Sequence, residues 1–395
     1  MPIDSARGHV LGFVVVTRLS TTLTDALAID APILQSGMGG VAGPDLVAAV
    51  SNARGLGILA ALRLPPDQVR AGIRRVRELT DRPFGVNLWL HDDVVHEPPV
   101  ADIPVDSIRS VQRVLNEFRP RHDLPSRLDS PPPSPDLVAA ALEVMIEERI
   151  PVFSAAIGLP DHELVDRFHR VGSSVVAMVA SGPDAAEVVD RGVDVVVAQG
   201  AEAGGHRSFG QKLERGMVEG TTVDALLIEV LDVVGARVPV AAAGGIVDGH
   251  DLAGVLVAGG AGVLLGTRFV ATFESMASDL WKQRLLAAGP TTSTTITDAF
   301  TGQWARVLGT DFTERWTAAD VRPLPGLLHA TMGADLFAAA KRSGDDQLQP
   351  FYAGTAVERI TALCGADEVV HSMVDVARSA LSARRVGGTE VTDLR

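Results

Sequence analysis

The sequence contains a single cysteine, Cys364, among 395 residues. It can form no internal disulfide, so a small disulfide-stapled scaffold is excluded and a reducing cytoplasm fits. Basic residues are in the minority. There are 35 Lys+Arg against 49 Asp+Glu, a formal charge of −14, and no long basic stretch interrupts that balance. A nucleic-acid scaffold needs the opposite field. A bilayer-spanning run is also missing. The longest charge-free apolar stretch, Leu252 to Thr267, has 16 residues with five glycines, against the roughly 20 that a spanning helix needs. Val10 to Val16 is shorter and lacks the basic lead and cleavage site of a signal peptide. With 46% hydrophobic residues, the chain is neither disordered nor collagen-like, and it can form one large domain or two ordinary ones.

What is present is a rhythm of short apolar runs separated by helix-compatible stretches. Eight runs stand out: Pro32–Gln35, Gly57–Ala61, Phe84–Leu88, Val152–Ala156, Ser174–Val179, Val193–Ala198, Val238–Ala243 and Gly262–Leu265. They do not alternate apolar and polar residues, which reads as strands buried on both faces of a parallel sheet. Between them, Pro66–Leu79 carries Val69, Ile73, Val76 and Leu79 at helical spacing, and Asp45–Ala53, Pro183–Arg191 and His250–Ala258 follow the same grammar. Asp161-His162-Glu163 opens another helix. Eight such units predict a (β/α)8 TIM barrel. The rival, a doubly wound open sheet, would carry G-x-G-x-x-G after its first strand. Here Gln35 to Gly40 has glycines at other spacings.

Two stretches break the rhythm. Residues 91–135, rich in proline, predict an insertion after strand 3, a loop with one short helix near Ile108–Phe118. The expected organisation is then an N-terminal extension over 1–18, a barrel over 19–272, and a mainly helical C-terminal extension over 273–395. That extension packs on the barrel without a core of its own, and within it Thr291–Thr295 reads as an irregular link. Asp224, Glu229 and Glu219 read as helix-surface charge.

In a barrel of this kind the chemistry sits at the C-terminal strand ends. Gly244-Gly245 after the seventh strand and Gly266-Thr267 after the eighth predict a phosphate site, because paired glycines let backbone N–H groups approach an anion. The ligand then carries a phosphate, as cofactor or as substrate. His206, after Gly204-Gly205 at the mouth of the sixth strand, is the proton-shuttling candidate. Asn87 and Gln199 are amides suited to a flavin or nucleobase edge. His91, Asp92, Asp93 and His96 have metal-ligand chemistry at irregular spacing, so no metal site is expected. Neither G-x-S-x-G nor G-x-x-x-x-G-K-[ST] occurs, which disfavours α/β-hydrolases and P-loop enzymes.

Several stretches in this order resemble the nitronate monooxygenase family, formerly called 2-nitropropane dioxygenases. They are Ala31-Pro32-Ile33-Leu34-Gln35-Ser36-Gly37-Met38, Ala49–Gly57, Phe84-Gly85-Val86-Asn87-Leu88, Gln199-Gly200-Ala201-Glu202-Ala203-Gly204-Gly205-His206, Ala243–Ile246 and Leu265–Phe269. Glu274-Ser275 and Lys282 also fit. The resemblance implies a TIM barrel that binds FMN non-covalently. Gln35, Ser36, Gly37, Met38, Asn87 and Gln199 would border the isoalloxazine. Gly204, Gly205, Gly244, Gly245, Gly266 and Thr267 would hold the phosphate, and His206 matches the catalytic histidine. The implied reaction oxidises a nitronate or nitroalkane with O2 to a carbonyl compound and nitrite, in a monomer or homodimer with no nucleic-acid or membrane partner. His206 would take the α-proton of a nitroalkane or position a nitronate. Three departures are visible. Arg54 and Ser208 stand where the family usually has Gly, and Tyr352-Ala353-Gly354-Thr355 stands where relatives often show Trp-Ala-Gly-Gln. Two alternatives remain at this point: an FMN-dependent enoyl-thioester reductase using NAD(P)H, and a non-catalytic FMN-binding barrel.

Overall fold

The computed structural model describes residues 19–132, 136–210 and 220–386. The expected extension over 1–18 lies outside the described residues, as does Glu219. Eight parallel strands form a closed barrel: β1 (Ile33–Gln35), β2 (Leu56–Ala60), β3 (Gly85–Trp89), β4 (Val152–Ala156), β5 (Ser174–Val179), β6 (Val195–Gln199), β8 (Val240–Ala243) and β9 (Gly262–Leu265). Closure is made by β9 on β1, with Leu34 opposite Leu264 and Gln35 opposite Leu265. The strands are short and Val/Ala-rich because both faces are buried. Inward residues such as Leu34, Ile58, Val176, Val197 and Ala241 fill the barrel, and outward residues such as Val86, Ala177, Val196 and Ala242 meet the surrounding helices.

Helix boundaries follow local chemistry. Pro sits in the first turn of Pro44–Asn52, Pro66–Leu79 and Gly182–Asp190, where its missing N–H costs nothing. Asp161 caps His162–Arg170 by accepting from the Leu164 N–H, and Asp248 caps Gly249–Val257 in a reciprocal box with Asp251. Arg54 adopts φ 78° in the turn before β2. That is the left-handed conformation glycine takes freely, and Arg54 holds it with an ion pair to Asp30 at 3.1 Å. Glu229 is more than surface charge, since it accepts from the Gly182 N–H at 2.7 Å.

The second sheet is small and antiparallel. Its strands are β7 (Gly205–His206), β10 (Thr294–Thr297) and β11 (Ala305–Leu308), in the order β10-β11-β7. The segment 291–295 is therefore partly a strand and not an irregular link, its Thr294 pairing with Leu308.

The insertion is more ordered than expected. Its helix runs Val105–Phe118 and buries Ile108, Val111, Val114, Leu115 and Phe118 on one face. That face packs on Phe300, Phe312, Trp316 and Leu336 of the C-terminal extension, forming an apolar cluster separate from the barrel core. Beneath it the fully buried Arg119 makes a two-pronged ion pair with Asp335, at 2.8 and 3.1 Å. Residues without a sheet or barrel partner thus bury their apolar stripes against one another. The last helix, Ala366–Val386, packs on the barrel helices Gly249–Val257 and Pro44–Asn52. Among the described residues no helix is long and apolar enough to cross a membrane.

Candidate active site

Two adjoining cavities open at the C-terminal strand ends. The smaller is about 60 Å³ and the larger about 280 Å³. Gly244 and Gly245 line the smaller. Gly37, Met38, Asn87, Gly205 and His206 line the larger. Ser36, Gln199, Gly204, Gly266 and Thr267 line both. Gln35 is the exception among the candidate residues. Its side chain accepts from the Ile58 N–H at 3.1 Å and donates back to the Ile58 carbonyl, so it fastens β1 to β2 and touches neither cavity.

The small cavity is a backbone cradle. Gly244 and Gly245 have φ 117° and 69°, which turns successive N–H groups toward one side. Among the described residues no acceptor takes the N–H of Gly244, Gly245, Ile246 or Gly266. The Thr267 hydroxyl accepts from the Gly354 N–H at 3.0 Å and keeps its own hydrogen to donate. A side chain at Gly204 would collide with the Gly354 nitrogen at 2.4 Å, so glycine there lets the loop after β6 lie directly on 353–354. Unsatisfied donors on the residues of one small cavity suit a bound anion.

The large cavity has a mixed lining. Asn87 donates to the carbonyl and hydroxyl of Ser154 at 3.0 and 3.1 Å, which leaves its own oxygen as an acceptor. Gly37 lies so close that a Cβ would stand 2.4 Å from the Asn87 Cβ. Arg63 is the one arginine or lysine lining either cavity among the described residues, and no carboxylate lines them. In a chain of charge −14 this cavity is therefore locally biased toward anions.

His206 is held by its neighbours in both directions. β7 pairs with the tail strand β11, with Ala305 opposite His206. Gln199 donates to the His206 carbonyl at 2.9 Å and accepts from the Ser208 N–H at 2.6 Å. The Ser208 hydroxyl donates to the Met178 carbonyl at 2.9 Å. The imidazole lies between Trp89, at 4.7 Å between ring centroids, and Tyr352, at 5.1 Å. Its Nε2 is 2.9 Å from the Thr301 hydroxyl. Burial pushes the ring down to about 4, because little water or counter-charge remains to stabilise an imidazolium.

Gln199 thus braces the His206 loop with one donor and one acceptor, and it also lines both cavities. Sequence reasoning missed Trp89, Ser154 and Thr301, which also line the large cavity. Trp89 and Ser154 had a legible signal. Trp89 shares the Asn87 face two residues on, and Ser154 is a lone hydroxyl inside an apolar strand. Thr301 had none, since the tail brings it in from 95 positions away. Tyr352 was marked only as a departure from the pattern of relatives, and the fold sets it in the same wall.

Comparison with known proteins agrees with this geometry. The family described as nitronate monooxygenase matches residues 20–375. A nitronate monooxygenase from Paraburkholderia phytofirmans is 34% identical over 359 residues, covering 88% of this chain and 92% of its own. A protein from Mycobacterium tuberculosis named as a (3aS,4S,5R,7aS)-5-hydroxy-7a-methyl-1-oxo-octahydro-1H-indene-4-carboxyl-CoA dehydrogenase is 36% identical over 299 residues, covering 75% of this chain and 68% of its own. The solved structure of a nitroalkane oxidase from Streptomyces ansochromogenes superposes with a TM-score of 0.80 and 32% identity, over 91% of this chain and 100% of that one. With the closed barrel and with the glycine-lined cavity and His206 at one mouth, this chain belongs to the nitronate monooxygenase family and is a flavin oxidoreductase.

Proposed function

We propose that the two cavities together hold FMN and that the enzyme oxidises alkyl nitronates with O2 to a carbonyl compound and nitrite. The observation that carries this reading is the His206 imidazole on the wall of the large cavity, next to the glycine-lined small cavity with its unpaired N–H groups. The residues fit the cofactor. Gly244, Gly245, Ile246, Gly266 and Thr267 offer donors to its phosphate, and Asn87, Ser36 and Met38 would border the ring. When bound, FMN supplies the redox chemistry, accepting electrons from the substrate and passing them to O2.

The protein's own groups do the rest. A histidine whose conjugate acid titrates near 4 is a weak base for a carbon acid. A neutral imidazole can instead offer an N–H to an oxygen of a substrate that is already anionic. His206 therefore positions the nitronate rather than generating it from a nitroalkane. Trp89 and Tyr352 wall off the reacting carbon from water, and Arg63 draws the anion in. O2 and the nitronate are the small-molecule partners in this reading.

A second reading has support among the relatives, including the solved structure of FabK from Thermotoga maritima, 28% identical with a TM-score of 0.71 over 94% of this chain and 100% of that one. The Mycobacterium tuberculosis relative bears the name of a CoA-thioester dehydrogenase, which keeps an FMN-dependent thioester oxidoreductase, an enoyl-thioester reductase using NAD(P)H among them, in view. Anaerobic mixing of the FMN-loaded enzyme with propyl-2-nitronate, NADH and NADPH separates the two. Flavin bleaching by nitronate alone, then nitrite release in air, is expected. Rapid bleaching by NAD(P)H with no response to nitronate would overturn the proposal in favour of the reductase.

A further inference from the structure

Tyr352 is the single tyrosine of the chain. It stands in the tail, bridged to Val307 on β11, the strand that also pairs with His206. Its ring lines the large cavity, 5.1 Å from the imidazole and 6.0 Å from Trp281 between centroids. Among the described residues its hydroxyl has no hydrogen-bond partner. Nor is that oxygen among the fully occluded polar atoms. The side chain is half-buried, it lines the large cavity, and its polar end is not covered by protein.

A buried tyrosine usually finds a partner for its O–H. One that faces a catalytic cavity with none is a donor kept for a ligand. A nitronate is planar and carries its negative charge on two oxygens of one nitrogen. Two donors on adjacent rings suit two such oxygens.

We propose that the Tyr352 hydroxyl donates a hydrogen bond to one nitronate oxygen while His206 serves the other, which makes Tyr352 a substrate-contacting catalytic residue. This rests on the nitronate reading above. Burial also pushes the phenol above its usual ionisation range, so the donor keeps its proton through the alkaline range in which nitronates persist. A tyrosine that only filled the wall would be replaced by phenylalanine without cost.

The test is Tyr352→Phe in the FMN-loaded enzyme, assayed with propyl-2-nitronate. A charge-assisted hydrogen bond predicts a fall in kcat/KM of about tenfold or more, with FMN content and thermal midpoint as in the wild type. Because no other tyrosine exists, biosynthetic 3-fluorotyrosine labels this residue alone and leaves the fold intact. Its fluorine resonance should move when propyl-2-nitronate is added without oxygen, beyond the change caused by photoreduction of the flavin. A Phe variant within twofold of the wild type, or a resonance that responds only to photoreduction, overturns the proposal while the enzyme's nitronate activity stands. A wild-type enzyme inactive toward nitronate removes the underlying reading and this assignment with it.

Discussion

Replacing Gln199 by leucine tests whether this side chain is a brace or a cofactor contact. In the structure its two polar atoms hold the backbone of the His206 loop, one donating to the His206 carbonyl at 2.9 Å and one accepting from the Ser208 N–H at 2.6 Å. Leucine keeps most of the volume and removes both bonds. The Ser208 N–H is buried, so orphaning it costs about 1–3 kcal/mol. The half-buried His206 carbonyl loses a net bond worth about 0.5–1.5 kcal/mol. The sum is a destabilisation of about 1.5–4.5 kcal/mol, present whether or not flavin is bound. Urea unfolding of the flavin-free protein reads it directly. Activity should fall as well, because the loop that aims the imidazole loosens. A flavin-free Leu variant within about 0.5 kcal/mol of the wild type, with a defect confined to FMN affinity, would refute the brace and restore Gln199 as a cofactor contact.

Other outcomes follow from the same geometry. Gly244→Ala places a Cβ 2.9 Å from the Ala203 nitrogen at a φ of 117°, so FMN affinity measured by flavin fluorescence should drop at least tenfold, and unchanged affinity would argue against the cradle. His206→Asn should lower kcat for propyl-2-nitronate by about a hundredfold or more with FMN retained, and near-normal turnover would remove His206 from the chemistry. Neutral nitroethane should be a far poorer substrate than its nitronate at pH 7, since a base near 4 deprotonates carbon weakly; equal efficiency would contradict that. His206 and His329 are both pushed by burial from 6.5 to about 4. The unfolded chain therefore takes up protons first as pH falls. Stability they contribute is complete above about 6.5 and is lost between there and 4. The thermal midpoint should fall across that window and less steeply in His329→Asn; equal slopes would show that His329 does not titrate this way.

The barrel was legible because its signal is local. Doubly buried strands must be apolar throughout, and residues 152–156, 174–179 and 262–265 were bounded correctly for that reason. The glycine pairs were legible too, since Gly244 and Gly245 adopt positive φ, which other residues avoid. The insertion and its helix were legible too, the helix starting three residues earlier than the apolar stripe Ile108–Phe118 suggests, but that stripe gave no hint of what would cover it. The cover is Phe312, Trp316 and Leu336, some 200 positions later in the chain. The direction of the Gln35 side chain was not legible, because at a strand end it can point along the sheet or out of it, and pairing with Ile58 decided which.

The sequence by itself determined the eight-unit barrel and placed the paired glycines and His206 at its mouth, because each depends on residue type and neighbours within a few positions. The tertiary structure decided the rest. It brought β11 against His206, put Thr301 on its Nε2 and Tyr352 at its side, and turned Gln199 inward to hold the loop. Those contacts join parts of the chain up to 146 residues apart, from His206 to Tyr352. No local propensity encodes such a meeting. It arises only when the apolar faces of the insertion and the tail find each other and carry their polar neighbours to the barrel mouth.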